Sequence, residues 1–154
     1  MTQINIDLYK PEYKDDFIRL NTEWITTYFR LEEADIYTLS HIEEYILDKG
    51  GQIFFALYDG IVMGCCALVY HPEHNTYEVS KMAVSPHAQG LGLGKKLLET
   101  AISYARENGI NQLFLEGNTK LEASIALYTK LGFKEIPIAE AAYDRCNIMM
   151  VCDL

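Results

Sequence analysis

The sequence contains no long apolar run, and this absence argues against a helix that crosses a membrane. No stretch approaches the roughly 18 consecutive apolar residues that such a helix needs. The first residues also lack the basic tip and apolar core of a secretory signal peptide. The chain has 154 residues, the size of one ordinary domain. We therefore expect a single cytoplasmic domain over residues 1–154, with no membrane partner.

Basic residues are scarce, with 13 lysines and arginines against 22 aspartates and glutamates, so the formal charge is −9. A surface that binds nucleic acid needs clustered lysine and arginine. No such cluster is visible in the sequence, and we expect no nucleic-acid partner. A negative field attracts cations, which favours a cationic or amine-bearing ligand.

The cysteines show no metal-binding or redox spacing, because no CxxC pair is present. They are Cys65, Cys66, Cys146 and Cys152. All four lie in apolar runs, which predicts small core residues in a reducing compartment. His71 and His74 form an HxxH pattern in a turn-rich segment without a further ligand cluster, so we expect no metal.

Hydrophobic periodicity predicts the element order β-α-α-β-β-β-α-β-α-β-β. The clearest helix covers residues 95–107, where apolar residues share one face at Leu97, Leu98, Ala101, Ile102 and Ala105. A shorter helix is predicted over residues 39–47, before a glycine pair that would stop it. Asp59-Gly60 lies between two apolar runs and predicts a β-hairpin.

Three glycines, Gly90, Gly92 and Gly94, stand at alternate positions just before the strongest helix. A glycine in a helix costs about 1 kcal/mol relative to alanine, so this placement needs a reason. The first turn of a helix has unpaired N–H groups and a partial positive charge, and glycine lets an anion approach them. Lys95 and Lys96 could add positive charge. Neither GxxxxGK[ST] nor GxGxxG is present, and a plain flexible turn is the alternative.

The segment KMAVSPHAQGLGLGKKLLETA resembles the acetyl-CoA-binding core of the GNAT N-acetyltransferases. The loop pattern of that family, [Q/R]xxGx[G/A], is met by Gln89, Gly92 and Gly94. The later segment LYTKLGF resembles the second signature of the family. The resemblance implies an α/β (α+β) fold. Its mixed, mostly antiparallel sheet would have about seven strands, flanked by about four helices, with its two central strands splayed.

The resemblance also implies acetyl-CoA as cosubstrate, with no metal. The backbones of Met82, Ala83 and Val84 would pair with the pantetheine arm. Many relatives have an asparagine where this chain has Leu121; Asn118 could contact the cofactor instead, although the helix register argues against a simple exchange. The pyrophosphate would be held by the loop residues Gln89, Gly90, Leu91, Gly92, Leu93, Gly94 and Lys95.

Two residues are implied in catalysis by the same resemblance. Tyr128 occupies the position of the general acid that protonates the leaving thiolate, and the alternative is a tyrosine packed on a helix face. Glu78 occupies the position of a general base in the histone-acetylating branch. A solvated glutamate, or a partner of Lys81, is the alternative there. A base is useful because an amine with a pKa near 10.4 is mostly protonated at pH 7.

The resemblance also implies that the acceptor site is formed by the first two helices and the C-terminal loop. Trp24, Tyr28 and Glu33 are the candidate substrate-binding residues, since aromatic and acidic side chains suit an amine. The alternative for each of them is that the aromatic side chains belong to the core and the acidic ones to a solvated face. Arg145 could instead bind a substrate carboxylate. Peptide, polyamine, amino acid and drug acceptors all remain open.

We therefore expect an N-acetyltransferase in which the amine attacks acetyl-CoA directly. One alternative is a non-catalytic acyl-CoA-binding sensor or regulatory module, and another is a nucleotide-binding enzyme of a different type. The segment NIMMVCDL would be an edge strand that could pair two subunits in a homodimer.

Overall fold

The computed structural model describes residues 3–154 and contains one seven-stranded sheet in the order β1-β2-β3-β4-β5-β7-β6. The strands are β1 (Ile4–Leu8), β2 (Gln52–Tyr58), β3 (Ile61–His71), β4 (Thr76–Val84), β5 (Gln112–Gly117), β6 (Lys134–Ile136) and β7 (Ile148–Asp153). The α-helices are α1 (Lys14–Tyr28), α2 (Glu33–Ser40), α3 (Leu93–Glu107) and α4 (Glu122–Lys130). This order agrees with the order predicted from the sequence.

The sheet buries both of its faces, one against α1 and α2 and the other against α3 and α4. Alternation along β2 shows this division, because Phe54 packs toward α3 while Phe55 packs toward α1. The predicted apolar face of α3 is buried, and Leu97 and Leu98 are fully excluded from solvent. Burying each of these leucines contributes about 1.5–3 kcal/mol.

The second helix begins earlier than its apolar spacing predicted. α2 spans Glu33–Ser40, and a single π-helical turn, Glu43–Leu47, follows it. A reciprocal cap explains the early start, because the Asp35 carboxylate accepts a hydrogen bond from the Glu32 backbone N–H at 3.0 Å. Capping by acidic residues outweighs weak apolar periodicity here, and the prediction of one helix over residues 39–47 was wrong.

The two central strands, β4 and β5, are parallel and separate almost at once. They pair only at Tyr77 with Leu113 and at Glu78 with Phe114. A bulge between β3 and β4 bends the strand away, and Lys81 adopts a left-handed backbone conformation there (φ 54°). The predicted splay is therefore present, and residues 79–84 turn one backbone edge toward the gap.

Two other expectations are corrected or refined by the fold. β7 is not an edge strand, because it pairs with β5 along its length and with β6 on its other side. All four cysteines are free, and three are buried, but Cys146 is only half-buried in the loop before β7. No helix within residues 3–154 is both long and apolar enough to cross a membrane.

We predict that Gly51→Ala strongly destabilises the fold. An added Cβ would overlap the backbone carbonyl oxygens of Leu68 and Ile46, so the chain would have to move. The expected loss is at least about 2 kcal/mol in the free energy of unfolding, measured with urea. Gly94→Ala is the control, since its Cβ would lie 3.7 Å from the Leu127 side chain, an ordinary contact. Equal stability of the two variants would contradict this account of Gly51.

Candidate active site

Two of the three glycines at the start of α3 are required by the backbone. Gly90 (φ 84°) and Gly92 (φ 78°) are left-handed, and Gly92 caps the helix. Such angles favour glycine because it has no Cβ. Gly94 lies in the first helical turn without this requirement, and an alanine there would contact only Leu127. The loop therefore depends on glycine for its shape at two positions.

The same loop presents unpaired backbone N–H groups. The hydrogen bonds on either side of it run from Ala88 N–H to Ser85 at 2.9 Å and from Lys96 N–H to Gly92 at 3.1 Å. Between them, the N–H groups from Gln89 to Lys95 donate to no acceptor within residues 3–154. The N-terminal end of α3 adds a positive partial charge. The loop thus has the donors that a diphosphate requires.

An open cleft of about 550 Å³ lies between this loop and α4. Lys120 connects one wall of the cleft to the end of α1, because its Nζ donates to the Tyr28 carbonyl at 2.7 Å and lies 5.0 Å from the Phe29 ring centre. The cleft is lined by Trp24, Tyr28, Val84, Ala88, Gln89, Gly90, Gly92, Leu93, Gly94, Lys95, Lys120, Leu121, Glu122, Ala123, Ser124 and Leu127.

A smaller inner cavity of about 110 Å³ occupies the gap between β4 and β5. Trp24, Leu121 and Ser124 line both the cleft and the inner cavity, so the two spaces adjoin. The titratable side chains around the inner cavity are Glu78, Lys81, Glu116, Tyr128, Tyr143, Arg145 and Cys146. A ligand held at the loop can therefore extend along β4 toward these groups.

Tyr128 lies on α4 and lines the inner cavity. Its ring packs 5.9 Å from that of Phe133, and its hydroxyl has no hydrogen-bond partner within residues 3–154. Burial raises the pKa of this phenol above its ordinary value of 10.0. The hydroxyl thus stays protonated at neutral pH and is free to donate to a ligand.

Glu78 lies on β4, where its side chain is buried beside the inner cavity. Its Oε1 lies 2.8 Å from Nε2 of His71, and this hydrogen bond raises the pKa of the imidazole above 6.5. The structure thus contradicts both alternatives raised for Glu78. The side chain is not solvated, and Lys81 binds Asp35 instead.

A buried ionic network surrounds Asp35 on α2. Its carboxylate accepts hydrogen bonds from Lys81 Nζ at 2.6 Å and from the Arg145 guanidinium at 2.7 and 2.8 Å. Glu32 also contacts Arg145, at 3.2 Å. Arg145 is thereby neutralised by carboxylates of the protein itself. The alternative role of Arg145 in binding a substrate carboxylate has no free charge to support it.

The network also controls the ionisation of its members. Burial alone would raise the pKa of Asp35, but the hydrogen bond from Arg145 and the charge of Lys81 hold it at about 2. Burial lowers the pKa of Lys81 because the ammonium loses its hydration, and the charge of the neighbouring Arg145 lowers it further. The short hydrogen bonds favour the ionised form of the pair.

Glu116, at the end of β5, was missed by the sequence analysis. It lines the inner cavity and accepts backbone hydrogen bonds from Ala142 at 3.1 Å and Tyr143 at 3.3 Å. Burial raises the pKa of this carboxyl. A charged residue within the apolar strand QLFLEG is the signal that could have identified it.

The predicted cofactor residues divide between the two spaces. Val84 lines the cleft, and Met82 lines the inner cavity. Ala83 is buried on the opposite face of the sheet. Asn118 lines the inner cavity rather than the cleft, and its amide donates to the Arg145 carbonyl at 2.7 Å. Leu91 is exposed and lines neither space.

The predicted acceptor residues divide as well. Trp24 lines both spaces, whereas Tyr28 lines only the cleft. Glu33 is exposed at the start of α2 and lines neither, so the geometry gives it no support. Phe29 also lines the inner cavity. Within residues 3–154, no group of three or more His, Cys, Asp or Glu side chains could hold a metal ion.

A sheet that splits beside a glycine-rich loop with unpaired backbone N–H groups is the arrangement that the sequence resemblance implied for an acyl-CoA-dependent acyltransferase. A family model described as "Acetyltransferase (GNAT) family" matches residues 15–133. That match covers most of the chain, and the protein belongs to this family.

Known proteins of similar sequence and structure agree with the family. An uncharacterized N-acetyltransferase of Escherichia coli K12, YjgM, is 36% identical over 75% of this chain and 72% of its own length. A GNAT-family acetyltransferase of Staphylococcus aureus Mu50 superposes with a TM-score of 0.86 at 26% identity, covering 98% of this chain and 99% of that one.

A third relative was crystallised with coenzyme A. This N-acetyltransferase of Thermoplasma acidophilum has a TM-score of 0.74 at 19% identity over 99% of both chains, so the likeness concerns the fold. This chain spans only 28% to 50% of the length of four other curated relatives.

We predict that Asp35→Asn destabilises the protein by about 3–5 kcal/mol, because Lys81 and Arg145 would lose the buried counter-charge between them. Urea unfolding measures this loss. Asp15→Asn, at an exposed position, should change stability by no more than about 0.5 kcal/mol. A similar small effect at Asp35 would contradict the assigned role of the network.

The difference in unfolding free energy between wild type and Asp35→Asn should also depend on pH. The pKa of Asp35 is about 2 in the folded state and 3.8 when unperturbed. Its stabilising contribution is therefore present above about pH 4 and is lost as the pH falls toward 2. The stability difference between wild type and Asp35→Asn should shrink over that range.

Proposed function

We propose that this protein transfers an acetyl group from acetyl-CoA to an amine. The observation that carries the proposal is the continuity of the two spaces. A loop with free N–H groups borders one end, and Tyr128 and Glu78 border the other. Acetyl-CoA supplies a thioester that a neutral amine can attack without a covalent enzyme intermediate.

The loop N–H groups from Gln89 to Lys95 would hold the pyrophosphate. Hydrogen bonds from backbone donors to a charged acceptor contribute roughly 1.5–3 kcal/mol each. The backbone edge of β4 at residues 79–84, which has no partner in β5, would pair with the pantetheine arm. Strand-like pairing of this kind directs the arm toward the inner cavity.

Tyr128 acts as the general acid in this proposal. Its neutral hydroxyl donates a proton to the sulfur as the carbon–sulfur bond breaks. A thiol pKa near 8.5 makes the thiolate a tolerable leaving group, so the acid assists the reaction without being indispensable.

Glu78 acts as the general base. An alkylamine with a pKa near 10.4 must lose a proton at a cost of about 4.6 kcal/mol at pH 7 before it can attack. The buried carboxylate of Glu78 borders the inner cavity and can receive that proton directly or through water.

The charges around the inner cavity favour a cationic acceptor that has no carboxylate. Lys81 and Arg145 are neutralised by Asp35 and Glu32. The carboxylates of Glu78 and Glu116 also border the cavity, and neither forms an ion pair with a lysine or arginine within residues 3–154. An ammonium group is attracted to such a cavity, whereas a substrate carboxylate would be repelled.

We predict that cadaverine is acetylated more efficiently than lysine, its carboxylated counterpart. The kcat/KM for cadaverine should exceed that for lysine by about tenfold or more, because the cavity repels the lysine carboxylate. A tenfold ratio corresponds to about 1.4 kcal/mol. Release of coenzyme A thiol measures both reactions. Preference for lysine would contradict the acceptor class. Acetyl-CoA binding without thiol release across a wider amine panel would contradict the transferase and favour the sensor.

We predict that Tyr128→Phe lowers kcat by about tenfold to a hundredfold and leaves acetyl-CoA affinity nearly unchanged, because only the proton donor is removed. Steady-state kinetics and calorimetric titration separate these two effects. Tyr104→Phe is the matched control on α3, where the ring packs against Phe54 outside both spaces. An unchanged kcat in Tyr128→Phe would remove the acid role.

A further inference from the structure

Three titratable side chains form a row from the inner cavity to the surface. Glu78 Oε1 lies 2.8 Å from His71 Nε2, and His71 Nδ1 lies 3.4 Å from Glu73 Oε1. The exposed fraction of the side chain rises along the row, from 9% for Glu78 through 18% for His71 to 59% for Glu73. Both imidazole nitrogens are thus engaged, one toward the cavity and one toward solvent.

The β3–β4 hairpin holds this row in place. His71 pairs with Thr76, and Val69 pairs with Glu78, so His71 and Glu78 are diagonal neighbours on one face of the sheet. The Phe114 ring lies 5.7 Å from the imidazole and packs against it. Glu73 lies in the turn that joins the two strands. The imidazole is therefore held between the two carboxylates by packing, by the hydrogen bond to Glu78 and by the ionic contact with Glu73.

A buried general base needs an exit for the proton that it receives in each turnover. In the described part of the chain, the Glu78 side chain makes its hydrogen bond to His71. A bound acceptor would fill the inner cavity and separate Glu78 from water on that side. The imidazole, which can accept a proton at one nitrogen and release one at the other, provides the route outward.

We propose that His71 is a positioning residue that orients Glu78 and relays the acceptor's proton from it to Glu73 and solvent. This inference rests on the proposed function. The ammonium gives one proton to Glu78, and the neutral amine forms the carbon–nitrogen bond as the carbon–sulfur bond breaks. Tyr128 protonates the departing sulfur, and the second proton that the nitrogen loses on becoming an amide restores the Tyr128 hydroxyl. The proton on Glu78 then passes to Nε2 of His71, while Nδ1 releases a proton toward Glu73 or water.

Other titratable groups lie around the row and shape its pH response. Lys81, Glu116, Tyr143 and Tyr45 interact electrostatically with Glu78, and His74 interacts with Glu73. Their contributions remain in a variant that alters only His71. A comparison of pH profiles between such variants therefore isolates the imidazole.

The test compares His71→Gln with His74→Gln, an exposed histidine in the same turn that the row does not include. With cadaverine as acceptor, His71→Gln should lower kcat at pH 7 by about tenfold or more. The difference in kcat between wild type and His71→Gln should become smaller as the pH rises, because a larger fraction of the amine is then already deprotonated. KM for acetyl-CoA should stay the same, and His74→Gln should keep the wild-type kcat at pH 7.

A second variant separates proton relay from packing. In His71→Ala, added imidazole should restore part of the lost kcat, and thermal unfolding confirms that the variant is folded. A wild-type pH profile in His71→Gln would overturn the relay, and so would a lowered kcat with an unchanged profile and no rescue by imidazole. In either case an active wild type would leave the proposed function standing. A wild type that acetylates no amine would overturn both.

Discussion

The separation of β4 from β5 is the feature on which the rest of the site depends. A parallel pair that continued would bury both backbone edges and leave no gap. Here pairing stops after Glu78 and Phe114, and a bulge at the following residues bends β4 away. The gap supplies the inner cavity, the free strand edge and the position of Glu78 at the point where the strands part.

Contacts from outside the sheet connect the elements around the gap. The ionic network of Asp35, Lys81 and Arg145 joins α2, the bulge of β4 and the loop before β7. Glu116 holds the same loop through its backbone N–H groups. Buried ion pairs are costly to desolvate and contribute little net stability. Here they fix α2, the bulge of β4 and the loop before β7 relative to one another. They also neutralise charges that would otherwise be available to a substrate.

Local patterns predicted the elements well and the site in part. The apolar face of α3 and the glycine loop at its start could be predicted from the sequence, because helix periodicity and positive φ are local properties. The bounds of α2 could not be read from apolar spacing, since a cap between Glu32 and Asp35 decides them. His71 was considered only as a metal ligand, because its contact with Glu78 depends on strand register.

The sequence by itself determined the family, the glycine-rich loop at the start of α3 and the general order of the sheet, since each of these rests on residues close together in the chain. Tertiary structure alone decided which charges remain free. Asp35 meets Lys81 across 46 positions and Arg145 across 110. No periodicity spans such distances, so only the folded chain shows that these cations are neutralised while Glu78 and Glu116 border the cavity.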